Sequence, residues 1–296
     1  MRVLVTGAGG YIGSAVSEEL ANHGHHVLAF VRQGKKVSAN KNIEPVYGDV
    51  RDADSLSAGV RKSEAVIHTA ASLGSDMPKV DQEAVDAILR TAAEGKQRFV
   101  YTSGIWLLGN TGAKRADEHT ALNPIPLVAW RVKHEEQVIA AAKSFPTAVI
   151  RPAMVYGRGG GIPAMFSQSV PEKGAVTAVG DGENRWPMVH VDDLAVLYRL
   201  ILEKAEAGAM IHGATGETLK VKQMAEAAAK GAGVPGKVIY WPVEQARAVL
   251  GPFADALTLD QDIVSVVAQK LGWKPRAAGV LEELQKGSYA RAVART

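Results

Sequence analysis

Three glycines near the start of the chain have the spacing of a phosphate-binding turn. Gly7, Gly10 and Gly13 follow the apolar run 3–5, and a helical pattern comes next. Glycine lets the backbone turn sharply, while the free N–H groups and the positive dipole end of a helix attract an anion. The spacing is one residue wider at its first gap than the G-x-G-x-x-G dinucleotide fingerprint. It predicts a dinucleotide site whose contacts include Gly7, Gly10, Tyr11, Ile12 and Gly13.

Basic residues after the second apolar run indicate which dinucleotide binds. This position, about twenty residues beyond the glycines, holds an acid for a ribose 2′-hydroxyl or a base for a 2′-phosphate. Arg32, Lys35 and Lys36 occur here, and no Asp or Glu lies between Glu19 and Glu44. Because a guanidinium suits a phosphate, the pattern favours NADP(H) over NAD(H), with Arg32 as the contact. A solvated basic loop is the alternative.

The elements that must position these residues alternate between strand and helix patterns. Apolar strands are predicted at 3–5, 27–31, 43–46, 65–68, 99–102 and 148–150, with helices near 54–60, 80–94 and 128–143. This alternation predicts an α/β fold, a doubly wound parallel sheet of the Rossmann type in the order 3-2-1-4-5-6. After residue 151 the pattern loosens. We therefore predict a Rossmann domain at 1–158 plus about 186–216, and a smaller substrate lobe at about 159–185 and 217–296.

Composition excludes several classes of function. Hydrophobic residues make up 47% and charged residues 22% of the chain, and the net charge of +3 is spread along it. These values are ordinary for a globular enzyme and indicate neither nucleic acid nor a membrane surface as a partner. The absence of cysteine excludes disulfides and thiolate chemistry. No signal peptide or membrane-spanning run is visible, and no metal site is predicted, so we expect a cytoplasmic protein.

Taken in order, further motifs resemble the short-chain dehydrogenase/reductase superfamily, in its extended and atypical branches of NAD-dependent epimerases and dehydratases. The motifs are Gly48-Asp-Val-Arg-Asp52, His68-Thr-Ala-Ala71, Tyr101-Thr-Ser-Gly104, Arg151-Pro-Ala-Met-Val-Tyr-Gly157, Gly180-Asp-Gly182 with His190-Val-Asp-Asp193, and Leu271-Gly-Trp-Lys-Pro275. The resemblance implies that Asp49 and Val50 meet the adenine, and that Ala70 and Ala71 line the phosphate and ribose region. It implies that Thr102, Pro152, Met154 and Val155 lie along the cofactor, the last three passing the nicotinamide.

The same resemblance implies a catalytic Ser or Thr after the fifth strand and a Y-x-x-x-K motif. Lys133 matches the lysine, but Ala129 stands at the tyrosine position, and no tyrosine lies between Tyr101 and Tyr156. Ser103 matches the hydroxyl, although the pattern S-[ST]-x-x-V-Y-G places Gly104 there. We predict Lys133 as the ribose contact and proton-transfer residue, with Ser103 and Tyr156 as further catalytic candidates. His134 is an alternative proton donor.

The function that follows is an NADP(H)-dependent oxidoreductase that reduces a carbonyl or conjugated double bond. Its substrate is expected to be small and largely apolar, bounded by loops 72–79 and 157–171 with Trp106, Met165 and Phe166. A nucleotide-sugar epimerase or dehydratase, with Arg185 on the diphosphate, and a non-catalytic NADP(H)-binding sensor are the alternatives. The resemblance also implies a homodimer formed through the helices near 80–94 and 128–143.

Overall fold

The computed structural model describes residues 1–72 and 74–293, and strands and helices alternate through its first half. Leu73 of the predicted substrate wall and residues 294–296 of the predicted lobe lie outside this part. The strands are β1 (Arg2–Thr6), β2 (His26–Val31), β3 (Ile43–Tyr47), β4 (Ala65–His68), β5 (Arg98–Thr102), β6 (Thr147–Pro152), β7 (Met154–Tyr156), β8 (Val176–Val179), β9 (Arg185–His190), β10 (Ala209–Gly213), β11 (Thr218–Lys220) and β12 (Val238–Trp241).

The helices connect these strands and cover both faces of the main sheet. They are α1 (Tyr11–Asn22), α2 (Ala53–Arg61), α3 (Met77–Gly95), α4 (Arg131–Ala140), α5 (Ala164–Gln168), α6 (Val170–Lys173), α7 (Val191–Lys204), α8 (Val221–Gly231), α9 (Val243–Leu250), α10 (Phe253–Leu257), α11 (Val266–Lys270), α12 (Val280–Lys286) and α13 (Ser288–Val293). Short 3₁₀ turns occupy Ile105–Leu108 and Ala141–Lys143.

The main sheet has seven parallel strands in the order β10-β6-β5-β4-β1-β2-β3. The predicted α/β class and the predicted order 3-2-1-4-5-6 are confirmed. One strand of this sheet was not predicted: β10 (Ala209–Gly213), which pairs with β6 and forms the edge of the sheet. The strand order reverses between β1 and β4, so the carboxyl ends of these two strands open the crevice in which such sheets bind ligands.

Alternation along β1 explains why the sheet is buried on both faces. Val3 and Val5 face one core, which α1 and α7 cover, whereas Leu4 faces the other, which α2, α3 and α4 cover. All three side chains are fully buried. A strand with apolar residues on both sides is typical of a parallel sheet between two helical layers.

A separate core lies beyond the carboxyl ends of the main strands. It joins β7, β8 and β9 to α5, α8, α12 and α13, with Trp186 and Met224 at its centre. Most of this core comes from the segments that were predicted to form the lobe. The boundaries of the lobe stay a prediction. Ile263, Ala268 and Trp273 fell within the predicted lobe, yet they pack in the core of the main sheet, because α11 lies against β10.

The predicted homodimer would form through α3 and α4, so the exposure of their apolar residues matters. These helices carry an apolar stripe of six residues, Val85, Ile88, Leu89, Val132, Val138 and Ile139. Val85, Ile88 and Val138 are fully buried against the sheet, so half of the stripe is covered within one chain. Glu83 and Arg90 lie on the exposed side of α3. Among the described residues, no helix is both long and apolar enough to cross a membrane.

Candidate functional site

The glycine turn between β1 and α1 is shaped for close approach of a ligand. Gly7 has φ of +71°, and a Cβ there would lie 2.7 Å from the backbone nitrogen of Ala70. A Cβ on Gly13 would overlap the Gly7 carbonyl oxygen, so only glycine allows the helix to start this near the strand. The Gly10 N–H donates to the Gly7 carbonyl at 2.8 Å. The turn therefore has the tight form that the spacing predicted.

The N-terminus of α1 presents free donors at this turn. Tyr11 and Ile12 occupy its first turn, where N–H groups have no partner within a helix. No acidic residue lies in that turn, so nothing opposes an anion at the positive end of the helix. The Tyr11 hydroxyl donates to the Gly157 carbonyl at 2.8 Å, which ties the loop after β7 to the glycine turn.

The predicted 2′-phosphate contacts lie beside this turn. Arg32 directly follows β2 and is exposed, as are Lys35 and Lys36. The basic loop runs past the glycines, since a Cβ on Gly9 would lie 3.7 Å from the Lys36 carbonyl oxygen. The structure thus brings the loop and the turn together.

The residues expected around the adenine and ribose gather at the same edge of the sheet. Val50 and Ala70 line one small cavity with His68 and Asp81, and the exposed Ala71 follows Ala70. Asp49 Oδ1 accepts from the backbone N–H of Arg51 at 3.0 Å, which shapes the turn after β3. Asp52 caps α2 by accepting from the backbone N–H groups of Asp54 and Ser55, as a helix-capping residue does.

Helix α4 presents a different side chain to the strand ends than the one predicted. Its first residue, Arg131, donates from Nη1 to the Tyr101 hydroxyl at 3.1 Å and to the Thr102 carbonyl at 3.2 Å. Arg131 is half-buried, and its guanidinium lies 4.3 Å from the centre of the Trp130 ring. Ala129 and Lys133 are exposed. The contacts therefore favour Arg131 over Lys133 as the cation facing the strand ends, and the role of Lys133 stays a prediction.

Ser103 follows β5 at this edge and has an unused hydroxyl. Its backbone N–H donates to the Ile150 carbonyl at 2.8 Å, which fixes the residue. Its Oγ is buried and has no hydrogen-bond partner among the described residues. The neighbouring Thr102 hydroxyl, in contrast, pairs with the Tyr198 hydroxyl at 2.7 Å. Ser103 Oγ is thus a buried protic group at this edge whose hydrogen bonding the described residues leave unsatisfied.

Two other proton-donor candidates are engaged elsewhere. The Tyr156 hydroxyl donates to the Ala278 carbonyl at 2.8 Å, and burial, with nearby Glu217 and Asp193, raises the pKa of this phenol. His134 is buried, and its Nδ1 lies 2.7 Å from Asp81 Oδ2. Because both groups are held by these contacts, neither is free to donate a proton at the strand ends.

The segment after β6 divides the predicted nicotinamide contacts between the two cores. Pro152 ends β6 and is buried, while Met154 packs in the lobe core and Val155 packs against the core of the main sheet. β7, which contains Met154 and Val155, pairs with β9 instead of joining the main sheet. This step carries the chain from the main sheet into the lobe directly beside the strand ends.

Within the part of the chain that the structure describes, no three or more His, Asp or Glu side chains are arranged for a metal. His23, His25 and His26 instead each pair with a single glutamate: Glu19, Glu203 and Glu44 respectively.

Comparison with known proteins identifies the family. The model of the NAD dependent epimerase/dehydratase family matches residues 3–212, which cover the glycine turn, the six predicted strands and Ser103. The chain belongs to this family. The match supports a nicotinamide dinucleotide as the cofactor of the site described above.

Individual relatives of this epimerase/dehydratase-family chain span its length. Uncharacterized protein C2A9.02 of Schizosaccharomyces pombe is 29% identical over 298 residues, covering 98% of this chain and all of the relative. The 2-alkyl-3-oxoalkanoate reductase of Stenotrophomonas maltophilia is 26% identical and covers 79% of this chain and 77% of its own. The Thermus thermophilus UDP-glucose 4-epimerase in complex with NAD superposes with a TM-score of 0.82 at 22% identity, covering 98% and 99% of the two chains.

A second contact of α4 shows which of its residues face the main sheet. Glu135, four residues after Arg131, forms a buried ion pair with Arg151, with Nε to Oε1 at 2.9 Å. Arg131 and Glu135 therefore share the inward face of α4. Sequence reasoning missed Arg131 because it placed the motif on the only nearby lysine. The available signal was Glu135 itself, a charged residue one turn later with Arg151 as its partner at the end of β6.

Arg185, the candidate for a diphosphate contact, is already bound within the chain. Its Nε and Nη2 donate to the two carboxylate oxygens of Asp260 at 2.8 and 2.9 Å, and Nη2 also donates to the Gly112 carbonyl. Arg185 therefore forms a structural salt bridge with Asp260. A bidentate pair of this kind leaves little of the guanidinium for a ligand.

Proposed function

We propose that this protein is an NADPH-dependent reductase of a carbonyl or conjugated double bond on a small, largely apolar molecule. The observation that carries the proposal is the position of Arg131. Its guanidinium stands at the carboxyl ends of the strands, and no carboxylate within the described residues forms an ion pair with it. From this position Arg131 would reach the ribose of a nicotinamide cofactor bound across the strand ends.

The chain's residues suit the cofactor. The glycine turn is a cradle that a Cβ would fill at Gly7 or Gly13, and the N-terminus of α1 offers N–H donors to a diphosphate. The exposed Arg32 is free to pair with a 2′-phosphate, which distinguishes NADPH from NADH. Arg131 would donate to the hydroxyls of the nicotinamide ribose, the role that the sequence predicted for Lys133.

The chain's contribution to the reaction is electrostatic and positional. Bound NADPH supplies the hydride. The unpartnered Ser103 hydroxyl donates a hydrogen bond to the substrate oxygen as negative charge develops on it, and the positive charge of Arg131 stabilises the same oxygen. A proton from water would then complete the reduced product. Trp106, which packs against both cores and lies edge-on to Phe253 with ring centres 5.8 Å apart, forms part of an apolar wall.

Reduction fits these residues better than the reactions that begin by oxidising an alcohol. Oxidation needs a base to take the hydroxyl proton. Tyr101, Tyr156 and Tyr198 each have a raised pKa, mainly through burial, so none is placed to ionise readily. A reduction instead needs a donor to the substrate oxygen. The 2-alkyl-3-oxoalkanoate reductase among the relatives supports this class, and the engaged Arg185 weakens the nucleotide-sugar alternative.

The test is turnover of NADPH with a panel of ketones, 3-oxo acids and α,β-unsaturated ketones, followed by the absorbance of the reduced nicotinamide. We expect at least one class to be reduced. In Ser103→Ala, loss of a donor to the developing oxyanion should lower kcat by about 10²–10³-fold. Tight NADPH binding without turnover of any class would replace the reductase with the NADP(H)-binding sensor.

Two further properties belong to this proposal. A homodimer would have to form through the partly buried Leu89, Val132 and Ile139, because the rest of the apolar stripe on α3 and α4 is covered. Light scattering at micromolar concentration would test it, and a monomeric mass would remove it. A cytoplasmic location stays the expectation drawn from the sequence.

A further inference from the structure

A chain of buried polar side chains runs beneath the site from the glycine turn to Arg131. Thr6, the residue before Gly7, has its Oγ1 2.8 Å from His68 Nδ1. His68 Nε2 lies 3.5 Å from Asp81 Oδ1. Asp81 Oδ2 in turn accepts from the Tyr101 hydroxyl at 2.6 Å. The network therefore joins the ends of β1, β4 and β5 through one carboxylate on α3.

Asp81 is the charged centre of this network. Its side chain is about 5% exposed and also accepts from His134 Nδ1 at 2.7 Å. Burial disfavours the charged form, but the hydrogen bond from His134, the nearby His68 imidazole and the charge of Arg131 outweigh it and lower the pKa of Asp81. A buried carboxylate with several donors is costly to strip of any one of them.

Tyr101 transmits the position of Asp81 to Arg131. The phenol is fully buried, donates to Asp81 and accepts from Arg131 Nη1 at 3.1 Å. Its ring stacks on His68 with centres 6.1 Å apart and an interplanar angle of 12°. The hydroxyl thus has one orientation, with its hydrogen toward Asp81 and its lone pair toward the guanidinium.

The interposed phenol has a consequence for Arg131. A direct ion pair with Asp81 would engage the guanidinium's donors in a bidentate contact. Here only Nη1 is used, by Tyr101 and the Thr102 carbonyl, while the Trp130 ring covers the guanidinium at 4.3 Å. Nε and Nη2 form no hydrogen bond with any residue of the described chain. The carboxylate orients the cation and leaves two nitrogens for a ligand.

We propose that Asp81 and Tyr101 are positioning residues for Arg131, which fix its guanidinium so that its remaining donors meet the cofactor ribose. The inference rests on the proposed role of Arg131. Preorganisation of this kind raises affinity because the side-chain entropy of an arginine is lost on folding and not again on binding.

A double-mutant cycle on NADPH affinity tests it, using Tyr101→Phe, Arg131→Met and the double variant. Arg131→Met should weaken NADPH roughly 10- to 100-fold through the lost charge-assisted bonds. Tyr101→Phe keeps the ring and should weaken NADPH roughly 5- to 10-fold by releasing Arg131. In the Arg131→Met background, Tyr101→Phe should have no further effect on the dissociation constant, because the residue it positions is gone.

Thr91→Val is the matched control. Thr91 lies on the same helix as Asp81, and its buried hydroxyl donates to Ser57 Oγ at 3.1 Å, away from Arg131. It should lower the urea midpoint without changing NADPH affinity. Asp81→Asn repeats the test from the carboxylate side, and Tyr101→Phe decides alone if that variant does not fold.

The outcomes separate the two proposals. No effect of Arg131→Met on NADPH affinity would overturn the ribose role of Arg131 and with it the positioning role. A clear effect of Arg131→Met with none of Tyr101→Phe would overturn the positioning role alone. An equal effect of Tyr101→Phe in both backgrounds would mean that the phenol acts independently of Arg131, which also overturns it.

Discussion

The Arg131 guanidinium donates to the Thr102 carbonyl at 3.2 Å, which ties the first residue of α4 to the last residue of β5. This contact sets the rotation of the helix about its axis. At 3.6 residues per turn, a side chain two positions along points roughly 200° away. Lys133 is accordingly exposed, while Glu135, a full turn from Arg131, is buried against Arg151.

A first prediction uses the burial of the residues that precede α4. The residue four positions before Arg131 is the half-buried Leu127, whereas the residue four positions before Lys133 is the exposed Ala129. Leu127→Tyr should therefore place a phenol near Arg131 and raise the rate of NADPH-dependent carbonyl reduction, by up to about 10²-fold if it acts as a general acid. Steady-state kinetics on a substrate from the panel measures it.

Ala129→Tyr is the matched control for this change. Its new side chain should lie on the exposed face and leave kcat and NADPH affinity at wild-type values. A gain from Ala129→Tyr without one from Leu127→Tyr would restore the register in which Lys133 is the motif lysine.

Sequence patterns predicted the strand order of the sheet well and the rotation of α4 less well, for a physical reason. Buried strands such as Val3–Val5 have a continuous apolar signal, and right-handed crossovers then restrict the strand order. The rotation of α4 depends on contacts distant along the chain, such as Glu135 with Arg151 and Arg131 with Thr102. Residues 126–130 form turns and α4 begins only at Arg131, whereas the sequence predicted a helix from residue 128, so helical spacing through Ala129 did not determine which side chains face the strands.

The contacts of Arg185 are a second feature that the sequence alone could not predict. Its partner Asp260 lies 75 residues away in the sequence, and nothing local to either residue indicates the pair. A lone arginine in a loosely patterned segment is equally compatible with a ligand or a salt bridge. The three-dimensional contact was needed to decide between them.

A second prediction concerns the choice of dinucleotide. Arg32→Asp replaces an exposed cation beside the glycine turn by an anion that repels a 2′-phosphate and suits a 2′-hydroxyl. The preference for NADPH over NADH should fall by roughly 10- to 150-fold, the value of one charge-assisted contact of about 1.5–3 kcal/mol. Titration calorimetry with both cofactors measures the ratio.

Lys41→Asp makes the same change of charge at an exposed position just before β3, at the opposite end of the sheet. It should leave the preference unchanged, since surface charges further apart than a Debye length are largely screened. Equal affinity of the wild type for both cofactors would contradict the assignment of Arg32.

A third prediction concerns the glycine turn. A Cβ on Gly13 would overlap the Gly7 carbonyl oxygen and lie 2.6 Å from Thr69 Oγ1. Gly13→Ala should therefore push α1 away from β1, abolish measurable NADPH binding and lower the free energy of unfolding by about 1–3 kcal/mol. Gly9→Ala is the control for stability, because its Cβ would meet no atom closer than 3.6 Å. A Gly13→Ala variant that binds NADPH normally would exclude this turn as the diphosphate site.

The last prediction is a pH dependence of stability that arises at His212. Burial, followed by the charge of Arg151, lowers the pKa of this imidazole from 6.5 to about 4, although Glu118 opposes the shift. As the pH falls below 6.5, the unfolded chain takes up this proton before the folded chain does. His212 therefore favours the folded state fully above pH 6.5, and this contribution is lost progressively down to about pH 4.

The expected loss over that interval is on the order of 3 kcal/mol in the free energy of unfolding. His212→Gln removes the titration, so its urea midpoint should fall less steeply than that of the wild type between pH 6.5 and 4. The wild-type imidazole lies 3.4 Å from Arg151 Nη1 and 3.3 Å from the Val264 carbonyl, and a glutamine amide also has one donor and one acceptor end to offer there. His119→Gln, at an exposed histidine, should keep the wild-type slope. If His212→Gln and the wild type lose stability in parallel, the acid sensitivity has another origin, and the buried imidazole does not titrate on unfolding.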